Sequence, residues 1–174
     1  MKKLGLAVSV VLLLAVAAQS QKPGPEGKGA LAPTVYQKWL DEDVTYIIAP
    51  EEKAKFVALK DDTERDEFVR QFWLKRDPTA GTEENEFKEE HYRRIAYSNV
   101  HFVEKGAGWK SDRGRVYISL GPPDEITAGK DANGVSWEQW NYKGSESKIR
   151  FEDRCACGEL KVIPMNWRPS PRDK

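Results

Sequence analysis

The spacing of apolar residues changes near residue 114, and this change most constrains what the chain can fold into. Before that point apolar residues recur three and four positions apart, as they do on the buried face of a helix. After that point, short segments alternate apolar and polar residues, as half-buried strands do. Helices followed by short strands with glycine and asparagine turns are typical of an α+β domain. We therefore predict N-terminal helices packed on a three- to four-stranded antiparallel sheet.

Four helices are predicted before residue 107. Polar side chains that can accept hydrogen bonds from free N–H groups mark helix starts, and proline favours the first turn. Thr63, with Asp66 three residues later, resembles a capping arrangement for the third helix, and Thr82 is expected to cap the fourth. The predicted spans are 34–44, from Pro50 to about Lys60, 64–76 and about 83–105, with Gly106 as the final stop.

Strands are predicted in the second half of the chain. Their spans are Arg115 to Leu120, Trp137 to Tyr142, Lys148 to Glu152 and, as a shorter candidate, Leu160 to Ile163. Segment 124–136 is expected to be a loop. Alternation then predicts an inward-facing set that consists of Val116, Ile118, Leu120, Trp140, Tyr142, Ile149 and Phe151.

The N-terminus is typical of an exported chain. Two lysines precede an apolar run from Leu4 to Ala18, and a small-x-small exit ends at Ser20. The run is about 15 residues long, whereas a membrane-spanning helix needs about 20. We predict a signal peptide over 1–20, a periplasmic or secreted location, and no stable membrane anchor after cleavage. The alternative is an uncleaved N-terminal anchor helix.

The remaining chain is expected to form one domain. Residues 21–33 contain three prolines and three glycines with almost no bulky apolar side chain, which predicts a flexible linker. A single domain over 34–168 and a tail over 169–174 follow. Removal of residues 1–20 takes away two lysines, so 28 basic residues become 26 against 28 acidic ones, a net charge of −2. A near-neutral chain argues against a nucleic-acid partner, which a strongly basic face would bind.

The stretch from Gly108 to Ile126, GWKSDRGRVYISLGPPDEI, is interpreted as a structural junction. Glycine suits sharp turns, serine and aspartate hydrogen-bond nearby backbone, and proline ends a strand. Asp112, Arg113, Arg115 and the backbone amides of the glycine junction could instead form an anion or substrate pocket, but the phosphate-loop pattern G-x-x-x-x-G-K-[ST] is absent. The structural interpretation is favoured, with a motif that consists of Gly108, Trp109, Ser111, Asp112, Gly114, Gly121 and Pro123.

The same stretch resembles the signature of the bacterial GWxTD-domain proteins, with Ser111 in place of the usual Thr. The similarity extends over about residues 34–153 through YQKWLDEDVTYII, FWLKRDPTAGTEENEFKEEHYRRI and WEQWNY. The resemblance implies an exported protein and no assigned activity. A weaker likeness, to the strand pattern of small outer-membrane assembly lipoproteins, concerns fold alone.

Two cysteines, Cys155 and Cys157, occur two residues apart. In an oxidising compartment they favour a disulfide, although a bridge of this spacing closes a small strained ring. Redox activity, free thiols, half of a zinc site completed by another chain and an intermolecular crosslink remain open. No metal or other cofactor is predicted, because two cysteines alone do not complete a tetrahedral site.

Two classes of function stay open. The favoured one is a non-catalytic binding or envelope-assembly module whose partner is a protein, peptide or glycan in the cell envelope, with no preference for an oligomeric state. Its predicted sheet face consists of Arg115, Tyr117, Trp137, Gln139, Asn141 and Arg150. The alternative is a hydrolase or metal-dependent enzyme with a site that consists of Asp112, Arg113, Glu86, Glu90 and His91. The helical spacing of His91 with Phe87 and Ile95 favours a core position over a catalytic one.

Overall fold

The structure is a computed structural model that describes residues 34–163. The predicted signal peptide, linker and tail lie outside the described residues, as do the last five residues of the predicted domain. In the part of the chain that the structure describes, no helix has the length and apolar character needed to cross a membrane. The helices are α1 (Val35–Lys38), α2 (Pro50–Ala58), α3 (Asp62–Leu74), α4 (Glu86–His101) and α5 (Asp112–Leu120), and the strands are β1 (Glu125–Lys130), β2 (Ser136–Tyr142), β3 (Ser147–Asp153) and β4 (Lys161–Val162).

The first two helices lie where the sequence predicts them. Thr34 caps α1, and its Oγ1 accepts the Gln37 N–H at 3.2 Å. The chain continues as one wide turn of π-helix over Trp39–Asp43, so the predicted span of 34–44 is confirmed. α2 begins at Pro50, also as predicted, because the missing N–H of proline costs nothing in the first turn.

The predicted caps of α3 and α4 are wrong. Asp61 caps α3, and its Oδ1 accepts the Glu64 N–H at 2.9 Å, while Thr63 lies inside the helix. Asn85 caps α4, and its Oδ1 accepts the Lys88 N–H at 2.8 Å. Thr82 instead donates its hydroxyl to Thr79 O at 2.9 Å in the preceding turn. A cap residue must itself be extended, and sequence does not show which of several polar neighbours adopts that conformation.

The predicted strand from Arg115 to Leu120 is a helix, and this is the main correction. Ser111 caps α5 by accepting the Gly114 N–H on its Oγ at 2.9 Å. Val116 and Ile118 are both buried, although a period of two places them on different sides of a helix. α5 is short and packs against α4 as well as the sheet layer, so apolar residues are needed on more than one side. Over six residues this pattern cannot be distinguished from strand alternation.

The sheet is antiparallel with strand order β1-β2-β3-β4. β2, β3 and a shortened β4 confirm three predicted strands, whereas β1 lies in the segment that was predicted to be a loop. All six residues of β1 are exposed, so no apolar alternation marks it, and its pairing with β2 forms it instead. The α+β class with helices on an antiparallel sheet is confirmed.

Two hydrophobic clusters form the core. The first joins the N-terminal helices and consists of Trp39, Leu40, Val44, Phe56, Phe72 and Trp73. The second joins the end of α4, α5 and the inner sheet face, and consists of Phe102, Val116, Trp140, Tyr142, Ile149 and Phe151. The predicted inward set is buried in the structure, except that Leu120 is half-buried and packs against the second cluster.

Candidate functional site

The two motif glycines let three backbone segments touch directly. A Cβ on Gly108 would lie 1.9 Å from Ser98 O on α4, and a Cβ on Gly114 would lie 2.0 Å from Gly108 O. Real side chains never approach so closely, so α4, the short 3₁₀ turn at Gly108–Lys110 and α5 stack as a series that only glycine permits. Close approach, and not a left-handed conformation, explains both glycines.

Ser111 and Asp112 fasten this junction through hydrogen bonds. The Ser111 hydroxyl donates to Gly108 O at 2.8 Å and accepts the Gly114 N–H in the first turn of α5 at 2.9 Å. Asp112 Oδ2 accepts the N–H of Val162 on β4 at 2.8 Å, while its Oδ1 accepts a hydrogen bond from Arg115 at 3.0 Å. The hydroxyl therefore starts the helix, and the carboxylate ties the helix to the edge of the sheet.

Trp109 connects the junction to the N-terminal helices. Its backbone N–H donates to Asn99 Oδ1 at 3.1 Å, and its carbonyl accepts the Tyr46 hydroxyl at 3.2 Å. The two aromatic rings lie 6.0 Å apart between centroids. Tyr46 follows the first helical segment, so Trp109 joins an early part of the chain to the turn before α5.

Gly121 and Pro123 end the junction. Gly121 terminates α5 with φ of +86°, a conformation that favours glycine, and its carbonyl accepts the Tyr142 hydroxyl at 3.0 Å. Pro123 follows, and Asp124 N–H then donates to Asn141 O at 3.0 Å, which begins the approach to β1. The motif residues thus extend from the 3₁₀ turn before α5 to the segment that connects α5 with β1.

A buried ion cluster that was not predicted from the sequence lies beside the junction. Arg113 donates to Glu104 at 2.9 Å and to Glu138 at 3.2 Å, and these side chains are 17%, 5% and 17% exposed. Burial raises the pKa of the Glu104 carboxyl, and the Arg113 guanidinium opposes that effect. One residue in the sequence pointed to this cluster. Glu138 shares the inward face of β2 with Trp140, and a carboxylate on a buried face needs a charged or hydrogen-bonding partner.

The five residues of the alternative enzyme site do not form one cluster. His91 is 3% exposed and lies against the first hydrophobic cluster, where Nε2 is 2.6 Å from Asp43 O. A carbonyl only accepts, so Nε2 carries the proton, and burial lowers the pKa of this imidazole. Glu90 pairs with Arg93 and Arg94, and Glu86 lies exposed in the first turn of α4. Asp112 and Arg113 have the separate partners described above.

The predicted binding face is divided between two surfaces. Trp137, Gln139 and Asn141 alternate with the buried residues of β2, and Arg150 is the cross-strand partner of Gln139, so these four share the outer face of the sheet. Arg115 and Tyr117 do not belong to that face, because they lie on α5.

Tyr117 occupies the opposite side of the sheet. Its ring stacks on Tyr97 at 4.6 Å between centroids and meets the edge of Trp140 at 6.2 Å. Burial raises the pKa of the Tyr117 hydroxyl. Arg115 pairs with Asp112 at the junction. Both side chains therefore support the helix that carries the motif, and the predicted face is corrected to its four sheet residues.

The outer face is organised around one aromatic side chain. The Arg150 guanidinium lies 4.4 Å above the Trp137 ring, and its Nε donates to Glu152 at 2.9 Å. On the other side, the indole covers Gly129 of β1, where a Cβ would be 3.1 Å from the ring. Trp137 is therefore held between a cation and the backbone of the edge strand.

The two cysteines form a turn that follows β3. Their sulfurs are bonded to each other, and both residues are exposed. Lys105 Nζ lies 3.1 Å from the sulfur of Cys157. A shallow pocket of about 60 Å³ lies nearby, lined by residues that include Glu104, Lys105, Lys110 and Glu159. Its volume is far below the roughly 300 Å³ at which small-molecule sites begin.

These features define a class of protein: a small α+β domain in which a Gly-Trp-x-Ser-Asp turn seats a helix between a longer helix and an antiparallel sheet. The GWxTD domain family model matches residues 33–157. The chain therefore belongs to the GWxTD domain family. A search of curated proteins found no match, and a search of solved structures found none either.

Proposed function

We propose that this chain is a non-catalytic binding module that takes an extended segment of a partner protein along β1 and the adjoining outer face of the sheet. The observation that carries the proposal is the stack of Arg150 on Trp137, which in turn covers Gly129 at the edge strand. Extended peptides can add a strand to an exposed sheet edge, where main-chain hydrogen bonds give affinity and contacts of alternate side chains give specificity.

β1 has the properties of a receptive edge. Within residues 34–163 it pairs on one side only, with β2, so the N–H and C=O groups along its other side point away from the sheet. Its central residues, 126–129, carry no charge, and all six residues are exposed. Sheet edges are ordinarily protected by central lysines, prolines or short length, and this one is not.

The outer face supplies specificity beside that edge. Its contacts are confined to the face: Gln139 donates to Asn141 at 3.1 Å, Asn141 donates to Glu125 at 3.4 Å, and Arg150 donates to Glu152. Within the described part of the chain, neither hydrophobic cluster includes a residue of this face. Tryptophan and arginine dominate binding energy at protein interfaces, so Trp137 and Arg150 are expected to anchor the partner.

The proposed place of action is the cell envelope or the medium. This part rests on the N-terminal sequence, where a short apolar run follows two lysines and ends in small residues. N-terminal sequencing of the protein recovered outside the cytoplasm tests it. A mature chain that begins near residue 21 is expected, and recovery of a chain that still starts at residue 1 would contradict export with cleavage.

The binding proposal is tested with a displayed library of random peptides, panned on the full chain. Selected peptides are expected to lose at least about tenfold in affinity, or 1.4 kcal/mol, with Trp137→Ala, because a buried anchor residue is removed. Ala128→Lys should weaken the same peptides by placing a charge at the strand edge. Val57→Ala is the matched control, since Val57 is 67% exposed on α2 and should leave affinity unchanged.

Two results would overturn the peptide proposal. Peptides that bind all four proteins equally would place the contact elsewhere on the surface. The second result would come from a glycan array run in parallel. If no peptide is selected, and glycans bind wild type but lose affinity with Trp137→Ala, the face would be assigned to carbohydrate binding.

A further inference from the structure

We propose that the turn formed by Cys155 and Cys157 is a thiol–disulfide exchange site, which oxidises a dithiol presented by another molecule. The proposal does not depend on the binding function of the sheet face. It rests on four features of the turn: the exposure of both cysteines, the short loop that their bond closes, the hydrogen bonds that hold the turn, and the unequal charges beside the two sulfurs.

The bond itself contributes little to the fold. Stabilisation by a disulfide grows with the length of the loop that it closes, and here the two residues are separated by Ala156 alone. The turn is held instead by Asp153, whose carboxylate accepts the N–H of Cys157 at 3.0 Å and that of Gly158 at 2.9 Å. These hydrogen bonds do not involve sulfur, so the turn keeps the two side chains together after reduction.

The two sulfurs have opposite electrostatic surroundings. Cys157 Sγ is 3.1 Å from the ammonium group of Lys105, whereas Cys155 Sγ is 3.3 Å from the carboxylate of Asp153. A nearby cation favours a thiolate and a nearby carboxylate disfavours it. Cys157 is therefore the better thiolate and the better leaving group, and Cys155 is the sulfur that an incoming thiolate attacks.

The other charged groups near the turn reduce this difference without removing it. Glu159 accepts from Lys105 at 3.2 Å and from Lys161 at 2.5 Å, which leaves its charge shared between two lysines. Arg154 pairs with Glu152 at 2.9 Å, so its charge is shared with that carboxylate. Among residues 34–163, Lys105 is the only cationic residue whose side chain contacts either sulfur.

The exchange is balanced in electrons and atoms. A thiolate of the partner attacks Cys155 Sγ, the bond between the two cysteines breaks, and Cys157 leaves as a thiolate beside Lys105. The partner's second thiolate then attacks the partner's sulfur in the mixed disulfide. The bond to Cys155 breaks, and Cys155 leaves as a thiolate. The partner loses two electrons and two protons and gains a disulfide, while this chain ends with two thiols. The chain's own disulfide is the oxidant.

The first measurement is the redox equilibrium of the full chain in glutathione buffers, read by alkylation and mass spectrometry. Within the range of redox potentials that glutathione buffers cover, both the disulfide form and the dithiol form are expected. The two forms should have the same circular dichroism spectrum. A synthetic peptide with two cysteines should become oxidised by one equivalent of the protein. A bond that resists reduction throughout the range, or thiols that never oxidise, would overturn the proposal.

Single-cysteine variants test the predicted asymmetry. In Cys155→Ser, the alkylation of Cys157 should have a midpoint about one pH unit below that of Cys155 in Cys157→Ser, because Lys105 stabilises the thiolate. Adding Lys105→Met should reduce this difference and leave the part that comes from the Asp153 carboxylate beside Cys155. Lys161→Met is the matched control, since Lys161 shares Glu159 with Lys105 without a contact to sulfur in the structure. Equal midpoints for the two cysteines would contradict the mechanism.

A metal site is the competing outcome. Asp153 and the two cysteines present ligand atoms within 4.8 Å of one another. Titration of the reduced full chain with Zn²⁺ distinguishes the two possibilities. Absence of stoichiometric zinc binding supports exchange, whereas one zinc ion bound per chain, lost in Asp153→Asn, would replace the redox proposal with a structural or sensory metal site.

Discussion

The contact between Gly114 and Gly108 predicts that Gly114→Ala destabilises the domain. This is a demanding prediction, because Gly114 lies in α5, where alanine is ordinarily the better residue by about 1 kcal/mol. In this helix the new Cβ would lie 2.0 Å from Gly108 O, which is a backbone atom and cannot rotate away. Gly108 O also accepts two hydrogen bonds from Ser111, through its backbone N–H and its hydroxyl.

The expected loss is about 3 kcal/mol of unfolding free energy. Displacing backbone in a packed region costs about 1–3 kcal/mol, and occasionally more, and this overlap is near the severe end. Movement of Gly108 also weakens the Ser111 cap, which is worth about 1 kcal/mol. The gain in helix propensity offsets about 1 kcal/mol of that total. For a domain of this size the net loss corresponds to a fall of about 10 °C in Tm.

Urea unfolding followed by tryptophan fluorescence and circular dichroism measures the effect. Gly144→Ala is the control, because a Cβ there meets nothing within 4 Å, and a change below about 0.5 kcal/mol is expected. Gly108→Ala should behave like Gly114→Ala, since its Cβ would lie 1.9 Å from Ser98 O. A Gly114→Ala protein as stable as wild type would refute the view that the junction depends on direct backbone contact.

Three further changes test the junction and the core. Ser111→Ala should cost about 1 kcal/mol in urea unfolding while Ser111→Thr retains most of the stability, and equal losses would argue against the cap. Arg113→Met should lower the unfolding free energy by about 3 kcal/mol at pH 7, because it leaves buried carboxylates unpaired. Without the cation, the pKa of Glu104 rises further. The stability difference from wild type should therefore shrink as pH falls below about 5. Burial lowers the pKa of His91 below 6.5, so the unfolded state binds more protons in acid and wild type should lose stability below about pH 6.5. His91→Gln, whose amide can still donate to Asp43 O, should show a flatter profile from pH 7 to 5.5, and an identical slope would exclude His91 as the cause.

The segment 115–120 shows why local pattern is insufficient at the motif. Its alternation of apolar residues predicts a strand, yet Ser111 and Gly114 start a helix there. The decisive interaction is the close packing of Gly114 on Gly108, which is a contact between backbones and leaves no hydrophobic pattern. The converse error occurred at β1, where no pattern exists and pairing with β2 makes the strand.

The candidate sites divide in the same way. Trp137, Gln139, Asn141 and Arg150 could be placed on one face from alternation alone, because β2 and β3 are regular strands with one buried side. Arg115 and Tyr117 were assigned to that face only through the mistaken strand. The ion pairs of Arg113 escaped detection because Glu104 and Glu138 are distant in sequence and meet only after α4, α5 and β2 are packed.

The sequence alone determined the α+β class, the starts of the first two helices, the two regular strands, most of the buried side chains and the family resemblance. Each of these depends on local periodicity or on motif residues a few positions apart, which short-range physics governs. Only the tertiary structure decided that the motif segment is a helix, that an exposed segment is the edge strand, and which charges meet at Arg113 and at the cysteine turn. Those outcomes depend on contacts between residues far apart in the chain, where packing overrides local propensity.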